Sequence, residues 1–391
     1  MDFDRLIADR ASGIDASGIR RAFELGATLT DPVNLSIGQP DFPVPEAIKR
    51  AAIDAIEAER NGYTLSGGIP PLRRACNARL ASDLGWPEEA PVIVTGGTSG
   101  ALLLAALTLL GPDDEIVFAD PYFPMYPVLA KLCGAKPVIV DTYPDFRLTA
   151  ERVAPVITER TKAVLLNSPG NPTGVVATQR DCEELLALCR EKNVLLISDE
   201  IYDEFTFPDA RTATDASGQP ACPSPGRVAG SHDHLLVVRG FGKTYGVTGW
   251  RMGYAAGPAR IIDELTKLQQ YTFVCAPSIA QWGCMASFET DMSNEVSEYA
   301  RRRDRVCEVL GEVTTISRPG GAFYAFCEVP ASLGMTGQAF MERCVQDGVI
   351  LIPGGVFSER DTHVRLSYAT DPAKLERGLE VVAGAMRGAA V

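Results

Sequence analysis

Gly240-Phe-Gly-Lys-Thr-Tyr-Gly-Val-Thr-Gly-Trp-Arg-Met-Gly253 sets one lysine, Lys243, and one arginine, Arg251, in a run of glycine, aromatic and small residues. Apolar segments bracket it, Leu235–Val238 before and Met252–Ala256 at its end. Both read as buried strands, so the run is a loop between two strands. A lysine near apolar walls has its ammonium form disfavoured and serves as an amine nucleophile near neutral pH. The guanidinium of Arg251 is a rigid fork suited to an anion. A surface loop with two solvated cations is the plainer alternative. Glycine density and the flanking strands count against it without deciding the matter.

Moving outward, short apolar runs alternate with helical patterns. Pro91–Val94, Glu115–Ala119, Lys136–Val140, Ala163–Asn167 and Val194–Asp199 read as further strands. Thr98–Leu110, Pro127–Cys133, Asp181–Lys192 and Pro258–Gln270 read as helices between them. Such alternation predicts an α/β fold with a mostly parallel sheet. The ends differ. Residues 1–30 read as polar and helical, and Ser293–Val309 as a charged helix. Gly320–Val329, Val349–Ile352 and His363–Tyr368 read as strands, with a helix near Thr336–Asp347. The expectation is a large α/β domain over 46–290 and a smaller α+β domain from 1–45 plus 291–391. Phe207–His234, rich in Pro, Gly, Ala and Ser, reads as a surface loop or insertion.

The 391 residues carry 37 Lys+Arg against 50 Asp+Glu, a net charge of −13. That balance argues against nucleic acid or an anionic membrane as the main partner. The longest apolar run, Ala101–Leu110, is far short of a membrane span. The opening Met1-Asp-Phe-Asp-Arg5 lacks a cationic-then-apolar pattern, so a cytoplasmic protein is expected. The ten cysteines form no Cys-x-x-Cys pair, and His232 with His234 lacks a third ligand, so no metal site is expected.

In open α/β sheets ligands sit beyond the carboxyl ends of the strands, and the polar signals here fall there. Val92-Ile-Val-Thr-Gly-Gly-Thr-Ser99 is a strand, two glycines and hydroxyls opening a helix. Its backbone N–H groups with Thr98 and Ser99 suit a phosphate, although a simple capped turn explains them equally well. The run matches neither a Walker loop nor the dinucleotide glycine spacing. Asn171, in Asn167-Ser-Pro-Gly-Asn-Pro-Thr-Gly174, is not required by turn chemistry and offers an amide to a ligand. Asp199 ends a buried strand and needs a partner: a helix cap, an ion pair or a protonated ring nitrogen. Tyr202 follows it. Arg365, inside the alternating His363–Ala369, needs an anion, either an internal carboxylate or a substrate's.

An amine, an acid, a phosphate cradle and a carboxylate-binding arginine together suit pyridoxal phosphate and an amino acid. From about Leu35 to Ala369 the chain resembles the class I aminotransferases of the aspartate aminotransferase type. The resemblance rests on Gly38-Gln-Pro-Asp-Phe42, Gly62-Tyr-Thr64 with Ser66-Gly67, Asn171-Pro-Thr-Gly174, Asp199-Glu-Ile-Tyr202, Lys243 with Gly249-Trp-Arg-Met-Gly-Tyr254, and Val364-Arg-Leu366. It implies the pyridoxal phosphate fold of type I, with a seven-stranded-type sheet, and an amino-group transfer to a 2-oxo acid such as 2-oxoglutarate.

The resemblance also implies roles. Lys243 carries the cofactor as an imine and acts as general base. Asp199 keeps the pyridine nitrogen protonated. Asn171 and Tyr202 bond the phenolic oxygen, and Phe123 stacks on the ring. Gly97, Thr98, Ser99 and Arg251 hold the phosphate. Arg365 clamps the substrate carboxylate, with Gly38 and Asn171 lining that pocket. Tyr63 reaches the neighbouring subunit's phosphate, which implies a homodimer. Two positions depart from the pattern: Gly240 stands where many relatives have a phosphate-binding serine, and Phe123 where the animal-type enzymes have tryptophan. Arg73, Arg147 and Lys131 are the cations to consider for a second substrate carboxylate. A lyase of the same fold, such as a carbon–sulfur lyase, is the alternative activity. A non-catalytic binding domain and a nicotinamide oxidoreductase fit less well.

Overall fold

The structure is a computed structural model, and it describes residues 1, 3–15, 18 and 31–388. Strand β1 (Val33–Asn34) precedes the main sheet. The sheet's first five strands are β2 (Val92–Gly96), β3 (Glu115–Asp120), β4 (Lys136–Asp141), β5 (Thr161–Asn167) and β6 (Leu195–Asp199). A short hairpin of β7 (Ala213–Thr214) and β8 (Pro220–Ala221) intervenes, and β9 (Leu235–Gly240) and β10 (Met252–Ala256) complete the sheet. Its order is β2-β10-β9-β6-β5-β3-β4. All neighbours are parallel except β10, which runs antiparallel to both β2 and β9.

The strands read as unbroken apolar runs because both faces are covered. Val94, Val164, Leu166, Leu196 and Val237 pack on one face with Leu72, Leu80, Leu185 and Cys189 from the helices Pro70–Leu84 and Gln179–Lys192. Ile93, Phe118, Leu165, Ile197 and Val238 pack on the other with Leu104, Leu129 and Leu265. Those three come from the helices Gly97–Leu109, Met125–Leu132 and Ala259–Thr272.

A second group of elements has its own core, including Phe323, Phe340, Leu351, Leu366 and Leu379. Strands β11 (Tyr324–Glu328), β13 (Ile352–Pro353) and β14 (His363–Ser367) form a sheet in the order β11-β14-β13. Strand β12 (Val349–Ile350) pairs with β1 instead. The single strand expected over Val349–Ile352 is therefore two short strands in different sheets. Helices Ser293–Gly311, Gly337–Gln346 and Pro372–Met386 cover this group.

The helical reading of residues 1–30 falls largely outside the described residues. Within them stand a single turn at Asp4–Leu6 and a short helix at Asp9–Ser12. Phe207–His234 is more tied down than a surface loop: Phe207, Ser224, Gly226 and Ser231 are buried. Ser224 Oγ donates to Glu200 at 2.6 Å, and Trp86 Nε1 donates to Gly226 O at 2.8 Å. Among the described residues no helix is long and apolar enough to cross a membrane.

Candidate active site

The sheet register brings the polar strand ends to one edge. Asn167 pairs with Asp199 across β5 and β6, and Gly240 pairs with Gly253 across β9 and β10. Above that edge lies a cavity of about 330 Å³. It is lined by Gly38, Gly97, Thr98, Ser99, Phe123, Asn171, Asp199, Tyr202, Lys243, Arg251 and Arg365. The first group of elements supplies most of these, and Arg365 enters from β14. Tyr63 is not in this lining; it is 89% exposed on the outside of the molecule. Arg73, Arg147 and Lys131 do not line the cavity either. Arg147 is bound to Asp181 at 2.6 Å, and Arg73 donates to Val92 O.

Lys243 sits in the loop after β9. Its Nζ donates to Gly38 O at 2.5 Å. Burial first, then the nearby positive charges of Arg365 and Arg251, push its ammonium down to about 8. Asp199 is buried at the end of β6. It accepts from Tyr126 Oη at 2.9 Å and from Ile201 N at 3.3 Å. It forms neither a helix cap nor an ion pair among the described residues, and burial lifts its carboxyl to about 6. Asn167 fixes the neighbouring backbone: its Nδ2 donates to Asp199 O, and its Oδ1 accepts from Asn171 N at 2.9 Å.

Arg365 is a fully buried cation with only neutral partners. It donates to Asn171 Oδ1 at 3.1 Å and to Ser36 O at 2.7 Å, and its Nε has no partner. Its guanidinium lies between the rings of Tyr324 at 4.4 Å and Phe357 at 4.7 Å. Burial lowers its pKa, so the site favours an anion brought to it. The helix Gly97–Leu109 opens without a side-chain cap, and its first residues Gly97, Thr98 and Ser99 line the cavity. Arg251 crosses that opening. A Cβ on Gly97 would lie 2.6 Å from Arg251 Nη2, so the bare Cα of Gly97 is what lets the guanidinium approach. Arg251 itself has a left-handed backbone, φ 54°, fixed by the turn Thr248–Trp250.

Pyridoxal phosphate, implied by the sequence, fits this donor set on three counts. The uncapped helix end with Arg251, Thr98 and Ser99 suits a phosphate. The buried acid without an ion-pair partner among the described residues suits a protonated ring nitrogen. The buried arginine without an acid suits an amino acid's carboxylate.

Sequence reasoning missed Tyr126, Tyr324 and Ile201, which also line the cavity. Tyr126 follows Phe123 by one helical turn, and that spacing is the one available clue. Tyr324 carries no local signal beyond an aromatic in a strand.

The profile of the family described as "Aminotransferase class I and II" matches residues 30–382. A "Probable N-acetyl-LL-diaminopimelate aminotransferase" of Bacillus subtilis is 35% identical over 388 residues, covering 96% of this chain and 95% of that protein. An "Aspartate aminotransferase" of Pyrococcus abyssi is 32% identical over 386 residues, covering 96% of each. The solved structure of Thermus thermophilus aspartate aminotransferase with maleate superposes with a TM-score of 0.88 at 34% identity, covering 96% of this chain and 98% of that one. With a family match over most of its length and relatives of this identity, the chain belongs to the class I and II aminotransferases, of the aspartate aminotransferase type that uses pyridoxal 5′-phosphate.

Proposed function

We propose that the chain moves the amino group of an L-amino acid to a 2-oxo acid, with 2-oxoglutarate as acceptor, in two half-reactions at one site around Lys243. The observation that carries this reading is the mismatch of three charged groups on one cavity, Asp199 and Arg365 buried and Lys243 half-buried. Among the described residues, Lys243 has the cations Arg365 and Arg251 nearby as well as Asp199, Asp199 is in no ion pair, and Arg365 has no acid.

Pyridoxal phosphate, when bound, supplies an electron-withdrawing ring that stabilises negative charge at the substrate Cα. Arg251, Thr98, Ser99 and the backbone at Gly97 would hold the phosphate. Phe123 would cover one face of the ring, and Asn171 and Tyr202 would bond its phenolic oxygen. Asp199, ionised, would hold the proton on the ring nitrogen. Arg365 binds the α-carboxylate and turns the Cα–H bond toward Lys243. With its ammonium near 8, roughly a tenth of Lys243 is the free amine at pH 7. The free amine is placed to take the Cα proton and carry it as the ammonium.

The same reading makes Tyr63 a contribution to the site of a second copy in a homodimer. Its exposure supports this, together with that of Leu65 and Tyr271, 62% and 84%. We also infer that residues 46–290 form the cofactor-binding domain and that 1–45 with 291–391 form the smaller one. The separate cores of the two groups of elements support that division. A cytoplasmic setting accords with ten free cysteines.

The test is a single-turnover experiment on the holoenzyme. An amino acid added without acceptor yields stoichiometric pyridoxamine phosphate, and Lys243→Ala abolishes that yield along with the visible absorption of the bound cofactor. Retained transamination in Lys243→Ala overturns the role of the lysine. Sustained release of ammonia and a 2-oxo acid without any acceptor assigns the chain to elimination instead. A panel of amino acid donors against 2-oxoglutarate fixes the donor class.

A further inference from the structure

Tyr324 is fully buried and lies at the junction of four groups of the site. Its hydroxyl is 3.0 Å from that of Tyr202. Its ring faces the Arg365 guanidinium at 4.4 Å. Its hydroxyl would stand 2.8 Å from a Cβ on Gly38, so the hydroxyl reaches Tyr202 only because residue 38 has no side chain. Its carbonyl would stand 2.7 Å from a Cβ on Gly174, at the end of the Asn171 turn. The strand pairing fixes this placement, since Tyr324 opposes Ser367 and Phe326 opposes Arg365 across β11 and β14.

A tyrosine hydroxyl has one proton to donate and two lone pairs. If the Tyr202 proton goes to the phenolic oxygen of the cofactor, the proton between the two hydroxyls must come from Tyr324. Burial raises both phenols above their ordinary value, so both stay protonated at working pH. We propose that Tyr324 is a positioning residue: its hydroxyl donates to Tyr202, orients the Tyr202 proton toward the cofactor's phenolic oxygen and strengthens that donor. The inference rests on the proposed contact between Tyr202 and that oxygen. A donor to an oxygen that carries negative charge favours the charged form. Weakening it therefore raises the pH at which the bound cofactor's visible spectrum changes.

The experiment is a spectrophotometric pH titration of the holoenzyme in wild type, Tyr324→Phe, Tyr202→Phe and the double variant. Tyr324→Phe keeps the ring on which Arg365 stacks. Its midpoint is expected to rise by roughly 0.5 pH unit, that of Tyr202→Phe by roughly 1 unit, in line with hydrogen bonds of ordinary net strength. The double variant is expected to match Tyr202→Phe, because the effect passes through Tyr202. The KM for α-carboxylate donors in Tyr324→Phe stays within about twofold of wild type, as expected when the stacking ring is kept. A midpoint unmoved in Tyr324→Phe but raised in Tyr202→Phe overturns the proposal and leaves Tyr202 in its role. Additive shifts in the double variant overturn it as well. A midpoint unmoved in Tyr202→Phe refutes the underlying contact and the proposal with it.

Discussion

The side chain of Asp199 shows how one neighbour decides what a buried acid does. Desolvation alone drives the carboxyl toward its neutral form, and the Tyr126 hydroxyl is the largest influence pulling the other way. Tyr126→Phe removes that donor at 2.9 Å without leaving a cavity larger than an oxygen. The expected result is a cofactor that still binds and a donor half-reaction slowed about tenfold, equivalent to the ~1.4 kcal/mol of a hydrogen bond to a charged group. In the proposed role the ionised form of Asp199 is the working one, so as its pKa rises further the acid limb of the rate profile is expected to move to higher pH. An unmoved limb in stopped-flow traces would show that Tyr126 does not hold Asp199. Gly240 poses the opposite question, since in the proposed phosphate site a serine there is expected to offer one more donor. A Cβ at 240 would lie 2.8 Å from Ile201 Cδ1 and 3.1 Å from Thr98 Cγ2. Gly240→Ser alone is thus expected to gain nothing. Adding Ile201→Val deletes the obstructing methyl, and the double variant is expected to bind cofactor about fivefold tighter, one ordinary hydrogen bond. Cofactor titration by fluorescence quenching checks both; a single variant as tight as the double would remove Ile201 from the explanation.

At the scale of elements, the site depends on how closely β10 meets the start of the helix Gly97–Leu109. Gly253 has no room for a methyl: a Cβ there would stand 2.6 Å from Gly97 C and 2.7 Å from Thr98 N, both backbone atoms that cannot swing aside. Gly253→Ala is expected to push the helix end off the sheet, costing about 1–3 kcal/mol of stability as overpacking does, and weakening cofactor binding at least about tenfold. Equal affinity in the variant, measured by the same titration, would mean the helix end does not hold the phosphate. This contact also shows what a sequence can reveal. The strands of the main sheet were legible to within a residue or two, because strands buried on both faces leave unbroken apolar runs. Lys243, Asp199, Asn171 and Arg365 stand out in the sequence because glycine turns and strand ends isolate them, and the structure places all four on one cavity. Tyr126 and Tyr324 were not. Each is an aromatic in an apolar context, and only the pairing of β11 with β14, or the packing of Met125–Leu132 on the sheet, brings its hydroxyl to the site. The split of Val349–Ile352 between two sheets was equally hidden, since Leu351 continues the apolar run through the point where pairing changes partners.

For the whole molecule, the two groups of elements meet away from the cavity as well, and His363 marks that contact. Its ring stacks on Phe326 at 4.8 Å and meets the edges of Tyr143 and Phe146 at 5.2 and 5.9 Å. Those two tyrosine and phenylalanine rings belong to the segment after β4, at the far edge of the main sheet. Arg360, held by Asp141 and lying over Tyr143, adds its positive charge nearby. Burial first and Arg360 second push the imidazolium down to about 4 from 6.5. The folded protein therefore keeps this ring neutral while the unfolded chain protonates it near 6.5. Between those values the unfolded state binds the extra proton, so stability contributed by His363 is present above pH 6.5 and lost as pH falls toward 4. Asp199 and Asp203, both raised to about 6, act in the reverse sense in the cofactor-free protein, binding a proton in the folded state first. Wild type alone thus shows a blunted response. Comparison with His363→Phe, which keeps the stacked ring and removes the titration, isolates the term. At pH 7.5 the two proteins are expected to differ only by the packing change. At pH 5 the variant is expected to gain up to roughly 2 kcal/mol relative to that baseline, read as a shift in the urea midpoint. A difference between the two that stays constant from pH 7.5 to 5 would place His363 in solvent-like surroundings and separate acid sensitivity from this contact.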